Sequence, residues 1–216
     1  RPVGSIADMT TFSFFPTKNM TSAEGGAVAS IHPELLLKAK RFSRQGLVRN
    51  PEEFRIKSEG PWHQEVHEFG LNYRLPDILC ALGISQLDRL NDFKNSRKNT
   101  FNEYINELED NKIIGLPIKR DYVDPMWHLF PVRVNPKIRL ELHKFLHDQG
   151  FKVQVNYLPA HLHPVFREQG YQIGQFPVSE GFYAREISLP IYAGLSNSEV
   201  TEISNVLKKF LISFSN

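Results

Sequence analysis

Lys18 is the residue of this chain best placed to do chemistry. It stands just past a strand-like run of β-branched and aromatic residues, Thr10 to Phe15. A Gly-Gly pair, Gly25 and Gly26, follows it and opens a second apolar run, Ala27 to Ala29. A lysine beside a buried strand can attack carbonyl carbons, because burial disfavours the ammonium and leaves the amine nucleophilic. By residue type alone, the same side chain reads as a solvated loop lysine. The company it keeps has to decide between the two.

Other candidate chemistries fall away. His63/His67 and His143/His147 have the i, i+4 spacing of a helical metal clamp, but neither pair has the glutamate of H-E-x-x-H or an evident third ligand. His161 and His163 flank Leu162 in a proline-bounded loop, where hydrogen bonding at a site is a better functional reading than metal. The sequence contains no G-x-G-x-x-G, no P-loop and no G-x-S-x-G elbow. Cys80, the single cysteine, falls in a helical pattern where an inert buried thiol is the default. It cannot close an internal disulfide, and a reducing, cytoplasmic setting is expected. With 41% hydrophobic and 23% charged residues, a net charge of +2 and no long apolar run, neither nucleic-acid nor membrane binding is expected.

The elements that would position Lys18 follow from periodicity. Pro33 opens a helix with Leu35, Leu36, Ala39 and Phe42 on one face, stopped by Gly46. Residues 47–69 read as a long polar loop of the kind that serves as a lid or a partner-contacting arm. Pro76 starts a long helical pattern that reaches Leu108, and its polar middle, Asp88 to Asn99, reads as a helix crossing solvent between two domains. The domain boundary is placed near residue 90, giving domains 1–90 and 91–216. In the second, Trp127–Val134 is strand-like, with Pro131 confining it to an edge or a bulge. Ile138, Leu142, Phe145 and Leu146 mark a helix ended by Gly150. Phe151, Val153, Val155 and Tyr157 alternate with polar residues as a strand does. After a Pro/His-rich loop, 158–176, come a short helix from Val178 to Arg185 and a last helix. A Ser196/Glu199 capping box starts that helix, and Val200, Ile203, Leu207, Phe210 and Phe214 stripe it. The apolar opening strand calls for neighbours on both sides, and few later segments supply them. The chain is therefore expected to be the C-terminal part of a longer protein.

Several blocks, taken together and in order, resemble the DegT/DnrJ family of sugar-nucleotide aminotransferases, fold-type I enzymes that depend on pyridoxal phosphate. The blocks are Ser13–Asn19 with Glu24-Gly25-Gly26, Gly70–Ile78, Trp127–Arg133, Val155–Phe166, Phe176–Glu180 and Ile187–Ser196. The resemblance implies an α/β fold, the remaining part of the cofactor-binding large domain in 1–90 and a small C-terminal α/β domain in 91–216. It implies that Lys18 holds pyridoxal phosphate through its amine and then acts as a base. Ser13 matches a serine on the cofactor phosphate, and Asn72 a residue reaching that phosphate from the other subunit of a homodimer with shared sites. Arg74 could pair with a carboxylate or phosphate in a bidentate manner. Tyr157 and His161 are candidates for the substrate pocket. Read without the resemblance, Ser13 is a strand hydroxyl, Asn72 a turn former and Arg74 a surface ion-pair residue.

Phe15 and Asn156 depart from a histidine found in many relatives. The Val155–Phe166 and Glu186–Pro190 blocks look most like the branch that aminates the 4-keto group of a UDP-linked deoxyhexulose on the pseudaminic acid route, with glutamate as donor. The family's phosphate loop, its stacking aromatic and its pyridine-binding aspartate precede the lysine and are not found in these residues. A protein limited to this chain is expected to bind cofactor weakly or not at all and to lack transaminase activity. Two other readings stay open: a non-catalytic regulatory or structural member of the same fold, and a dehydrating enzyme, which the lysine argues against.

Overall fold

The computed structural model describes residues 1–214. The chain divides into two compact units, Arg1–Leu90 and Asn91–Asn216.

In the first unit, β1 (Thr10–Ser13) and β2 (Gly26–Ala29) form an antiparallel pair, with Thr10 opposite Ala29 and Ser13 opposite Gly26. Gly26 is fixed by proximity: a Cβ there would lie 2.5 Å from the Phe12 carbonyl oxygen. β1 pairs with β2 alone among the described residues, and Thr11, Phe12 and Ser13 are exposed. α1 (Pro33–Phe42) starts on Pro33, whose missing N–H costs nothing in the first turn. It ends on Ser43, short of Gly46. The backbone then turns back through Gln45 and Gly46, both at positive φ, and the Gly46 N–H donates to the Arg41 carbonyl. Glu68 lies so close to Gly46 that any side chain there would collide with its carbonyl.

The segment expected to be a loop, 47–69, is more ordered than its polarity suggests. β3 (Leu47–Val48) pairs with β4 (Glu65–Val66), and between them a 3-10 turn, Pro51–Glu53, is capped by Asn50. Glu65 ties this arm together. Its carboxylate accepts the Arg55 and Ile56 N–H groups and faces Nε2 of both His63 and His67. Burial by itself would raise this carboxyl, but those hydrogen bonds outweigh it and hold it down at about 2.

The long helical pattern is two helices. α2 (Asp77–Asp88) ends at Arg89, and α3 (Leu90–Leu108) begins one residue later. Cys80 sits in α2 and is half-buried. Nor does the start of α3 cross open solvent, because Arg97 is only 7% exposed. Its Nη1 donates to the carbonyls of Trp127 (3.1 Å), His128 (3.4 Å) and Ile191 (2.9 Å), which substitute for water around the charge. Burial nonetheless pulls its pKa downward.

The second unit places α3, α4 (Arg139–Asp148) and α7 (Asn197–Ser213) around a small sheet of β5 (Phe130–Arg133) and β6 (Glu186–Leu189). α5 (Pro164–Arg167) and α6 (Pro177–Tyr183) lie in the connection before β6. Tyr104, Phe130, Val132, Leu142, Ile187 and Leu207 are fully buried in one core. Residues 151–157 are not a strand: one bridge, Gln154 to Ser188, joins them to the sheet. Alternation survives in part, with Val153 buried between exposed Lys152 and Gln154, but Tyr157 at 70% exposure leaves the pattern. The same bridge explains Pro131. Its partner Ser188 gives both backbone groups to Gln154, while Arg133 gives both of its own to Gly115, so no donor is required of the proline. The final helix carries the expected capping box, and Phe214, at 52% exposure, falls outside the buried stripe.

Candidate active site

Lys18 lies in the loop that the β1–β2 ladder closes. The Phe14 N–H donates to the Gly25 carbonyl (2.9 Å) and the Ser22 N–H to the Phe14 carbonyl (3.0 Å), so the ladder extends into the loop. Thr21 adds a hydroxyl bond to that same carbonyl (2.8 Å). The Lys18 N–H donates to the Phe15 carbonyl, and the Phe15 N–H makes a long 3.4 Å contact with Ser13 Oγ. One short run of backbone therefore carries both the amine and the hydroxyl. Lys18 is half-buried, and its amine has no hydrogen-bond or ion-pair partner among the described residues. Ser13 is exposed and still has its proton to donate.

Asn72 and Arg74 sit on a second segment, held to the end of α1. Asn72 bridges to Arg44, the Tyr73 N–H donates to the Ser43 carbonyl, and Arg74 Nε donates to Asn72 Oδ1 at 3.2 Å. That bond leaves Asn72 Nδ2 and both terminal nitrogens of Arg74 available. The two segments meet at Gly25, whose φ of +134° only glycine adopts readily. A side chain there would also come within 2.7 Å of Leu75, the residue after Arg74. Tyr157 and His161 belong to the second unit. Tyr157 is exposed, whereas His161 is buried and contacts Glu180 through Nε2 at 2.9 Å. The Gly174 and Phe176 N–H groups donate to the same carboxylate. The Gly174 bonds, with His161, pull this carboxyl below the usual range against the opposing effect of burial. His161 thus pins the 160–176 connection onto α6. Ser13 and Lys18 are each tied to Phe15 within one backbone run, and Asn72 and Arg74 are joined by a hydrogen bond.

Sequence reading singled out neither Glu180 nor the basic residues near Arg74. Lys40, Arg41 and Arg44 had a usable signal, since Lys40 and Arg44 stand at i, i+4 across the end of α1. Among the described residues, no group of three or more His, Cys, Asp or Glu could hold a metal ion. No described helix is long and apolar enough to cross a membrane.

The uncharacterized protein MJ1066 of Methanocaldococcus jannaschii is 35% identical over 98% of this chain and 56% of its own length. A UDP-4-amino-4,6-dideoxy-N-acetyl-beta-L-altrosamine transaminase of Campylobacter jejuni is 32% identical over 98% of this chain and 54% of its own. Among solved structures, the Helicobacter pylori aminotransferase PseC, involved in pseudoaminic acid biosynthesis, superposes with a TM-score of 0.88 at 29% identity. That match covers 99% of this chain and 56% of the other. The chain thus spans about half the length of the relatives it matches. Residues 1–208 match the model of the DegT/DnrJ/EryC1/StrS aminotransferase family, to which this chain belongs.

Proposed function

We propose that the protein carrying this chain is a pyridoxal-phosphate-dependent aminotransferase. Its substrate on this reading is a nucleotide-linked keto-deoxysugar, aminated at the 4-keto position with glutamate as donor, in the synthesis of cell-surface polysaccharide or glycan sugars. The observation that carries the reading is the Lys18 loop, where an unpaired amine and a free hydroxyl share one run of backbone clamped by the β1–β2 ladder. The residues present suit the cofactor. Lys18 Nζ would hold its carbonyl carbon, Ser13 Oγ would donate to its phosphate, and Asn72 Nδ2 would donate to the phosphate bound by a partner subunit of a homodimer. Bound there, pyridoxal phosphate supplies the electron sink that stabilises negative charge on the substrate carbon. Lys18 would also serve as the base that holds and moves the proton at that carbon. Arg74 offers its terminal nitrogens to a carboxylate or a phosphate. Tyr157 and His161 are the substrate-binding residues of the second unit on this reading, and there His161 is held by Glu180.

Borohydride reduction of the full-length, cofactor-saturated protein followed by peptide mapping tests this. A phosphopyridoxyl group on Lys18 is expected. A Lys18 peptide that stays unmodified would leave a fold without the chemistry. Assays of nucleotide-linked 4-keto sugars with glutamate then identify the substrate.

A further inference from the structure

The cavity beside the end of α1 gathers more positive charge than the chain neutralises. It measures about 230 Å³, and Lys40, Arg41, Arg44, Arg49 and Arg74 line it together with one acid, Glu53. Glu53 pairs with Arg41. Lys40 and Arg44 have no carboxylate partner among the described residues. Arg49 and Arg74 are both held by neutral groups. Arg49 Nε donates to Gln64 Oε1 at 3.2 Å, and Arg74 Nε donates to Asn72 Oδ1 at 3.2 Å. In each case an amide oxygen fixes one edge of the guanidinium and leaves its charge and both terminal nitrogens unengaged. Four uncompensated cations around one cavity repel one another, so the arrangement favours an anion that can join them.

The backbone builds this convergence. Lys40 stands near the end of α1, Arg44 lies one helical turn on, and the Arg44–Asn72 bridge brings Arg74 alongside. Arg49 enters from just beyond β3, whose pairing with β4 places Gln64 within its reach. Two oriented forks and two exposed cations suit a group with several anionic oxygens spread over two centres, and a diphosphate has that form. A single carboxylate would engage one fork and leave the others facing each other.

We propose that this cavity binds a diphosphate, which, resting on the aminotransferase reading, is the linker of the nucleotide sugar. The same chemistry is presented by free pyrophosphate and, in part, by the phosphate of the cofactor. Calorimetric titration of the full-length protein with UDP and with inorganic pyrophosphate separates these sources. The native protein is expected to bind both. The K40A/R44A double variant, which alters two exposed side chains, should weaken both by about tenfold or more and flatten their salt dependence. R44K, which keeps the charge, should recover most of the UDP affinity. Borohydride labelling of Lys18 by pyridoxal phosphate should stay at the native level in both variants. UDP affinity unchanged in K40A/R44A overturns the proposal. So does a loss of Lys18 labelling with UDP binding intact, which would assign the cavity to the cofactor's phosphate. The titration requires no turnover. A protein that binds UDP through Lys40 and Arg44 but never labels at Lys18 retains the anion site and defeats the aminotransferase reading.

Discussion

Gly26→Ala tests whether the β1–β2 ladder holds the Lys18 loop in place. A methyl at residue 26 would sit 2.5 Å from the Phe12 carbonyl oxygen, which is backbone and cannot rotate aside. An ordinary contact of a Cβ begins at 3.4 Å, so the strands must part by about 0.9 Å. The neighbouring Phe14 N–H bond to the Gly25 carbonyl, now 2.9 Å, would then pass out of hydrogen-bonding range. One or two lost backbone bonds plus the strain of overpacking come to roughly 2–3 kcal/mol. For a domain of 150–250 residues that corresponds to a Tm lower by roughly 5–10 °C. The loop carrying Lys18 loses its clamp, so borohydride labelling of Lys18 at limiting pyridoxal phosphate should fall together with Tm. Scanning calorimetry and peptide mapping of one preparation read both effects. An unchanged Tm with native labelling would refute the reasoning, because the ladder would then have slack that the structure does not show.

Gly83→Ala should act in the opposite direction. A Cβ there would meet Ser22 and Met20 at 3.6 and 3.7 Å, ordinary contacts, and α2 would gain up to about 1 kcal/mol of helix propensity; a lower Tm would show the site to be tighter than it looks. Arg97→Met leaves the Trp127 and Ile191 carbonyls without their donor, and the lost bonds, partly offset by relief of a buried charge, amount to about 3 kcal/mol. In a Trp62→Phe background, Trp127 fluorescence should then report a urea midpoint lower by about 2 M at an m of about 1.5 kcal/mol/M; an equal or higher midpoint would mean that burying the guanidinium costs as much as its bonds return. Glu65, with its folded carboxyl at about 2 against an ordinary 4.5, stabilises the first unit fully above about pH 5 and progressively less as the pH falls toward 2. Glu65→Gln should therefore flatten the pH dependence of the denaturation midpoint in that window, and an identical slope would remove Glu65 from the account.

Local rules carried the reading where the signal was local. Pro33 opening α1, the Ser196/Glu199 box and the α7 stripe from Val200 to Phe210 each follow a local pattern, and each is present as read. Failures came where a distant partner decides. Residues 151–157 have strand periodicity, yet β6 offers them one bridge, and alternation alone does not reveal how much edge is free. β6 escaped notice because it is short and half polar. Glu186 and Ser188 are buried only because the serine hydroxyl and the Asn156 N–H satisfy the carboxylate, whose pKa burial still raises. Arg97 looked like a solvent-facing helix residue because nothing nearby in sequence announces three carbonyls arriving from residues 127, 128 and 191. The candidate site shows the same divide. Ser13 and Lys18 were legible as a strand followed by a turn, whereas the cationic cavity depends on a bridge between residues 44 and 72.

The long reach of α3 has a consequence for synthesis. Its Arg97 bonds to a carbonyl 94 residues later, and its Glu107 pairs with Lys208, 101 residues later. When α3 leaves the ribosome, neither partner exists, and Phe101, Tyr104 and Leu108 have no core to enter. At about 5–20 residues per second, that apolar stripe waits on the order of ten seconds before β6 and α7 can cover it. The second unit therefore closes only after β6 and α7 have been made, and until then the apolar face of α3 stays open to solvent.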